Sequence, residues 1–285
     1  MGSFKIINPG LLSSFQDMGR SGYAFYSIPT SGCLDKQSAA YANIILKKPI
    51  DAPVIECNII APQIEFLSTT QIVITGADFN WQLNGKAIRI GELINIKTSD
   101  ILKGKSSREG CRGYLAVNGD LKLDKVYDSY STYLMGNFGG YQGRQLKKGD
   151  VVEWNELNPI VSDIQMDIHF KKDNQVNFFK GPEFDWLSSA SKEILFSSAY
   201  TVQADSNRMG TRLKGPALQL DTTKMKGSVP VLPGFIQLTP DGQPIVLLND
   251  AQVTGGYPRI GYIPEAALPA FSQTPIGITL NFKLW

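Results

Sequence analysis

Short apolar runs broken by glycine, proline and asparagine turns dominate the chain. In QIVITGADFNWQLNGKAIRIGELINI, apolar and β-branched bursts separated by turn residues predict strand, turn, strand, turn, strand. Residues 71–75 form a β-rich, apolar burst, and Asn84-Gly85 supplies two residues that tolerate the positive φ of a type I′ hairpin. RGYLAVNGD predicts a strand over 114–117 ending in a turn, and LKKGDVVEW a Gly-Asp turn leading into a strand. A further apolar strand is predicted over 245–248, after the turn PDGQP. Helical spacing is rare. LDKQSAAYANIILKK sets Leu34, Ala39, Ala42, Ile45 and Leu46 on one face behind Asp35 as a cap, and PEFDWLSSASKEILF predicts a second, shorter helix. The expected fold is mainly β, with one or two helices covering barrel ends.

The polar, weakly patterned stretch NELNPIVSDIQMDIHFKKDNQ precedes a new strand, VNFFKG, so a boundary is expected around residues 155–175. A length of 285 residues accommodates two domains, one over 1–160 and one over 175–285. Charged residues are only 19%, which excludes a coiled coil or charged helical array, and 10% aromatics with a net charge of +2 exclude disorder. Balanced charge gives no general nucleic-acid signal. No apolar stretch approaches the ~18 residues of a membrane span, and the start lacks a signal-peptide pattern. Cys33, Cys57 and Cys111 are widely spaced without a CxxC pair, so reduced thiols in a cytoplasmic protein are expected, with no metal site.

His169 is the only histidine, and its polar surroundings, DIHFKKDNQ, read as a solvated segment near the boundary. A histidine triad elsewhere and a histidine-built zinc site are thereby excluded. Chemistry must rest on Asp, Glu, Lys, Arg, Tyr, amides and backbone groups. Gly104-Lys105-Ser106 ends like a phosphate-binding loop, but Ser99 stands where the first glycine belongs, and a surface turn is expected. The glycine-dense run 135–144 reads either as a long hairpin loop or as a loop whose amides, with Arg144, face an anionic or carbonyl ligand. Asp78 follows an apolar strand and either points into a barrel mouth or bonds its own turn. Arg208 lies in a polar loop. Asp250, Gln252, Thr254 and Tyr257 crowd carboxylate, amide, hydroxyl and phenol into eight residues after a strand, a density that suggests a site.

Taken together, QDMGRSGY, IPTSGCLD, ITGAD, YLAVNG, SYSTYLMGNFGGYQGR, SNRMGTRL and PDGQPIVLLNDAQVTGGYP occur in the order expected of one family. From Asn8 to Leu280 the chain resembles the biotin-dependent carboxyltransferase-like family, which takes in the C subunits of 5-oxoprolinases and proteins called allophanate hydrolase subunit 2. Departures are Tyr130, where the family often has arginine, and Asp120, where it often has a second glycine. The resemblance implies two cyclophilin-like β-barrel domains with an active cleft between them or at their mouths. It implies a C subunit that works with the B and A subunits of a 5-oxoprolinase to open 5-oxoproline to glutamate, with ATP bound by the complex. On that reading Arg20, Arg144 and Arg208 take the carboxylate and phosphoryl group, and Asp78 or Asp250 orients water. Tyr133, Gln243, Gln252, Thr254 and Tyr257 are then substrate-binding. Asp78, Arg208, Gln252 and Tyr257 are expected in one polar cleft, with Arg20 and Arg144 near its rim. Two other roles fit the family: carboxyl transfer from carboxybiotin to a urea-like nitrogen, and non-enzymatic binding of a kinase-inhibitor-like partner.

Overall fold

The computed structural model describes residues 1–107, 109–167, 174–221 and 227–285; His169 lies outside them. The chain divides into two compact units: Met1–Arg20 with Ser31–Phe170, and Ser21–Thr30 with Lys171–Trp285. The excursion of Ser21–Thr30 into the second unit carries no mark in the sequence pattern.

The first unit layers two sheets and a helix. The larger sheet runs Gly119–Leu121, Val151–Glu156, Gly2–Asn8, Gln63–Phe66, Ile101–Lys103, Gln82–Leu83, Lys86–Ala87. The smaller runs Leu12–Gln16, Val54–Asn58, Arg112–Val117, Thr70–Gly76, Leu93–Ile96. Side chains alternate across a strand, so a strand covered on both faces is apolar throughout. Arg112–Val117 is covered in this way, buried at every position and uncharged from Gly113 onward. Its Leu115 and Val117 join Phe4, Phe66, Ile74 and Trp154 in the core between the sheets. Its Tyr114 and Ala116 face the other way, packing with Ala39, Ala42 and Ile45 of the helix Lys36–Ile45. That helix starts where the sequence predicts, with Asp35 accepting the Ser38 N–H at 3.0 Å. Buried bonds fix its first turn: Glu56 Oε2 accepts from Leu34 N and Tyr114 Oη, each at 2.9 Å, and Tyr114 Oη accepts from Asp35 N at 2.7 Å. Burial, with Glu56 alongside, pushes the Tyr114 phenol well above its usual range.

The second unit closes a barrel in the order Gln175–Lys180, Arg259–Tyr262, Phe235–Leu238, Pro244–Leu247, Gly210–Lys214, Ala199–Val202, Thr279–Leu284. Antiparallel pairs build it, and a parallel pair between Gln175–Lys180 and Thr279–Leu284 closes it. Phe178 and Tyr200 pack against Phe282 inside, with ring centroids 5.6 and 5.5 Å apart. The second expected helix is Ser189–Ser197, capped by Ser188. A third, Leu268–Ser272, lies outside the expectation, because a five-residue helix shows no period in sequence.

The mainly β reading holds, and strands fall on the three predicted apolar bursts as Thr70–Gly76, Arg112–Val117 and Pro244–Leu247, the last ending one residue before Leu248. Asn84 and Gly85 take φ of 51° and 80° between Gln82–Leu83 and Lys86–Ala87, as the hairpin signal requires. Two expectations need correction. Among the described residues only the second unit forms a closed barrel, since the first covers its apolar faces by stacking layers. Nor does the helix Lys36–Ile45 cover a barrel end, because it lies on the outer face of the five-stranded sheet. Among the described residues no helix is long and apolar enough to cross a membrane. All three cysteines are buried thiols outside any disulfide, and burial pushes the Cys57 thiol up.

Glu183 ties the segment after Gln175–Lys180 to the barrel. It accepts from Arg259 N and Nε at 2.9 Å each and from Nη2 at 2.7 Å. Burial alone would raise its carboxyl, but these bonds outweigh burial and hold it below its usual value. A carboxyl depressed on folding stabilises above its unfolded pKa, and that contribution disappears as pH falls through the folded pKa. The stability gap between wild type and Glu183→Gln should therefore be full at neutral pH and close below about pH 4. Urea unfolding across that range measures it, and a gap unchanged by acid would refute this role.

Candidate functional site

In the first unit, polar loops gather where Leu12–Gln16 ends. Asp17 is buried there. Its Oδ1 accepts from Gly19 N at 2.8 Å, Ser129 Oγ at 2.7 Å and Ser131 Oγ at 2.5 Å, and its Oδ2 from Tyr130 N at 2.6 Å. One carboxylate thus binds two distant loops. Arg20, only 2% exposed, donates Nη2 to the Ser131 carbonyl and lies 5.0 Å from the Phe138 ring centroid. Tyr133 packs edge-on against the same ring at 5.5 Å and donates its N–H to the Phe138 carbonyl at 3.0 Å.

The glycine-dense run bends back over this cluster. Asn137, Gly139, Gly140, Gln142 and Gly143 all have positive φ. A Cβ on Gly139 would sit 2.3 Å from the Ser131 carbonyl oxygen and 3.3 Å from Arg20 Nη2, so only glycine permits the approach. The loop packs on Arg20 and on the segment from Ser131 to Thr132. Arg144 is held by Asp150 through Nη1 to Oδ2 at 2.7 Å and Nη2 to Oδ1 at 2.9 Å, with the ring of Tyr141 below it. These bonds raise the Arg144 guanidinium further.

Asp78 stands exposed just past Thr70–Gly76. Its Oδ1 accepts the Asn80 N–H at 2.8 Å, while Asn80 Nδ2 donates to the Ser106 carbonyl at 3.1 Å. Of the two alternatives left open by sequence, the turn bond is the one formed here, and the carboxylate is exposed beside a unit that has no closed barrel mouth. Gly104 lies against Ala61 and Trp81, and a Cβ there would come within 2.3 Å of Ala61 Cβ. Close packing explains that glycine, and the Gly104-Lys105-Ser106 turn does not fit a phosphate cradle.

The second unit separates its predicted residues into two groups. Arg208 and Asp250 pair with one another, Nε to Oδ2 at 2.8 Å and Nη2 to Oδ1 at 3.2 Å, with side chains 5% and 4% exposed. Backbone bonds from Asp250 N to Arg208 O and from Leu248 N to Met209 O, at 3.0 and 2.9 Å, bind the same two loops. Gln243 accepts the Gly215 N–H at 2.9 Å and is buried. In contrast, Gln252, Thr254 and Tyr257 are exposed. They belong to a loop held by the pairing of Val229–Pro230 with Thr254–Gly255. Beneath it lies Gln237, 1% exposed, whose Nε2 donates to the Tyr257 carbonyl at 3.0 Å. A Cβ on Gly255 would come 2.9 Å from that nitrogen.

Sequence reasoning passes over Asp17, Ser129, Ser131 and Gln237. The Asp-x-Gly spacing of Asp17 signals an Asx turn and offers a lead. Gln237 sits in an apolar strand without a comparable signal. Among the described residues no group of three or more His, Cys, Asp or Glu is set to hold a metal ion.

A barrel unit, a layered unit and glycine-dense loops at these positions agree with one class of protein. The chain belongs to the carboxyltransferase domain family, subdomains A and B, which matches residues 26–284. Among its relatives, the 5-oxoprolinase C subunit of Escherichia coli (strain K12) is 34% identical over 278 residues, covering 98% of this chain and 90% of the relative. The 5-oxoprolinase C subunit of Haemophilus influenzae is 30% identical, covering 95% of this chain and 87% of the relative. The solved urea amidolyase of Kluyveromyces lactis is similar in structure, with a TM-score of 0.90 and 29% identity over 98% of this chain. This chain spans only 18% of that amidolyase.

Proposed function

We propose that the chain is the C subunit of an ATP-dependent 5-oxoprolinase, acting with A and B subunits, and that its barrel unit is of the cyclophilin-like type its family implies. The observation that carries the reading is 34% identity to the Escherichia coli C subunit over 90% of that protein. The lactam of 5-oxoproline is unstrained, so opening it at neutral pH calls for activation of its carbonyl oxygen by ATP and attack by water. Asp78 is the carboxylate suited to orient that water, being exposed with one oxygen committed to its turn. On the second unit, taken by itself, Gln252, Thr254 and Tyr257 are exposed donors suited to a carbonyl or carboxylate group. Arg208, Asp250 and Gln243 act by holding the loops that carry them. Arg20, Tyr133 and Arg144 shape the glycine-rich loop of the first unit.

Reconstitution tests this. Mixing the chain with A and B subunits should release glutamate from 5-oxoproline only when ATP and all three proteins are present. Equal release without this chain would sink the proposal.

The structural likeness to urea amidolyase supports a second reading, carboxyl transfer. The same exposed amide, hydroxyl and phenol suit the ureido oxygen of biotin, which when carboxylated supplies an activated carboxyl group. Carboxylation of urea by the chain plus a carboxybiotinylated partner, with no glutamate from 5-oxoproline, would favour it.

A further inference from the structure

The loop of the second unit that carries Gln252, Thr254 and Tyr257 rests on a buried amide, that of Gln237 in the strand Phe235–Leu238. Ile236, just before it, faces the barrel interior: a Cβ on Gly261 would sit 2.6 Å from the Phe178 ring and 2.8 Å from Ile236. Alternation along the strand turns Gln237 outward. It is nonetheless only 1% exposed, because the loop covers it. A buried amide is costly unless it is hydrogen-bonded, so what Gln237 bonds to accounts for its place in an otherwise apolar strand.

Those bonds have a direction. A backbone carbonyl only accepts, so the 3.0 Å contact with the Tyr257 carbonyl comes from Gln237 Nε2. The Gln237 Oε1 is thereby turned towards Gln252, whose side-chain amide approaches it to 3.5 Å. That oxygen also only accepts, so Gln252 offers it Nε2. The Gln252 carbonyl oxygen and one N–H are left for the exposed side of the loop. Gly255 keeps this contact open, since a Cβ on it would sit 2.9 Å from Gln237 Nε2 and 3.3 Å from Gln252 Nε2. The loop backbone is fixed separately. Val229–Pro230 pairs with Thr254–Gly255, Val231 N donates to the Val253 carbonyl at 2.9 Å, and Arg259 Nη1 donates to the Pro230 carbonyl at 2.8 Å. Gln237 therefore decides which way round the Gln252 amide sits, rather than whether the loop forms.

We infer that Gln237 is a positioning residue that makes Gln252 present an acceptor beside a donor, and so selects ligands with an N–H next to a carbonyl. A lactam has that pattern, since its ring holds the amide cis and sets N–H and C=O on one edge. An analogue without the N–H leaves the Gln252 oxygen unpaired beneath it. The inference rests on the reading of the chain as a 5-oxoprolinase subunit that uses this loop.

The test uses the complex reconstituted with A and B subunits and ATP. It compares KM for 5-oxoproline with the inhibition constant of 3-oxocyclopentane-1-carboxylate, in which a CH2 replaces the lactam N–H. Wild type should favour 5-oxoproline at least ~10-fold, the worth of one good hydrogen bond. Gln237→Met fills a similar volume without polar atoms. It should raise KM at least ~5-fold, leave kcat within about twofold, and bring the preference to within about threefold of none. Gly255→Ala adds one methyl group to the loop and displaces the Gln237 amide, so it should lose the preference in the same way. A parallel weakening of both ligands with the preference kept would assign Gln237 to loop structure alone and overturn the inference. A wild-type preference near none, or variants as selective as wild type, would also overturn it and leave the subunit reading standing. No turnover of 5-oxoproline by the wild-type complex overturns both.

Discussion

Asp250→Ala is expected to lower the unfolding free energy by about 3–5 kcal/mol, the cost of leaving a buried guanidinium without its carboxylate. Arg208 and Asp250 are almost wholly shielded from water, and their backbones are bonded to each other as well. The pair does not need to be a net gain over an apolar pair for its rupture to be costly. Truncating one partner strands the other charge in a medium that solvates it poorly. Urea unfolding followed by fluorescence measures the loss. A loss below about 1 kcal/mol with turnover abolished would return Asp250 to the chemistry and remove it from the scaffold.

Asp78→Asn is expected to cut turnover of the reconstituted enzyme by at least ~10²-fold, the lower end for a group in acid–base catalysis. The substitution is informative because of the local geometry. An asparagine carbonyl can still accept the Asn80 N–H, so the turn survives and only the charge is lost. Stability should change by no more than ~0.5 kcal/mol, as for an ordinary exposed site. Unaltered turnover in a folded, partner-bound variant would remove Asp78 from the site. A fall in stability with normal turnover per folded molecule would assign it to the turn alone.

Local chemistry makes much of this molecule legible. The helix Lys36–Ile45 is readable because its cap and apolar face lie within fifteen residues of sequence, and the Asn84-Gly85 hairpin because two adjacent residues decide it. The open, layered form of the first unit is not readable, since whether sheet edges join depends on pairings between distant strands. The site residues divide along the same line. The density from Asp250 to Tyr257 is visible, yet only distance in space shows that Asp250 is neutralised by Arg208, forty-two positions earlier. Arg144 looks like a free cation in sequence because its partner, Asp150, is hidden among turn residues. Asp17 gives little sign of its role because its serine partners are brought to it by folding.

The parallel pair that closes the barrel also sets an order of events during synthesis. Thr279–Leu284 lies between Gln175–Lys180 and Ala199–Val202, so an interior strand of the barrel is the last of its strands to be made. Until it leaves the ribosome, two strands made much earlier hold unpaired N–H and C=O groups and uncovered aromatic rings, including Phe178 and Tyr200. Such edges invite pairing with other nascent chains. The second unit therefore cannot close strand by strand as it is translated, and a chain stopped just before Thr279 is expected to sediment as aggregate rather than elute as a shortened barrel.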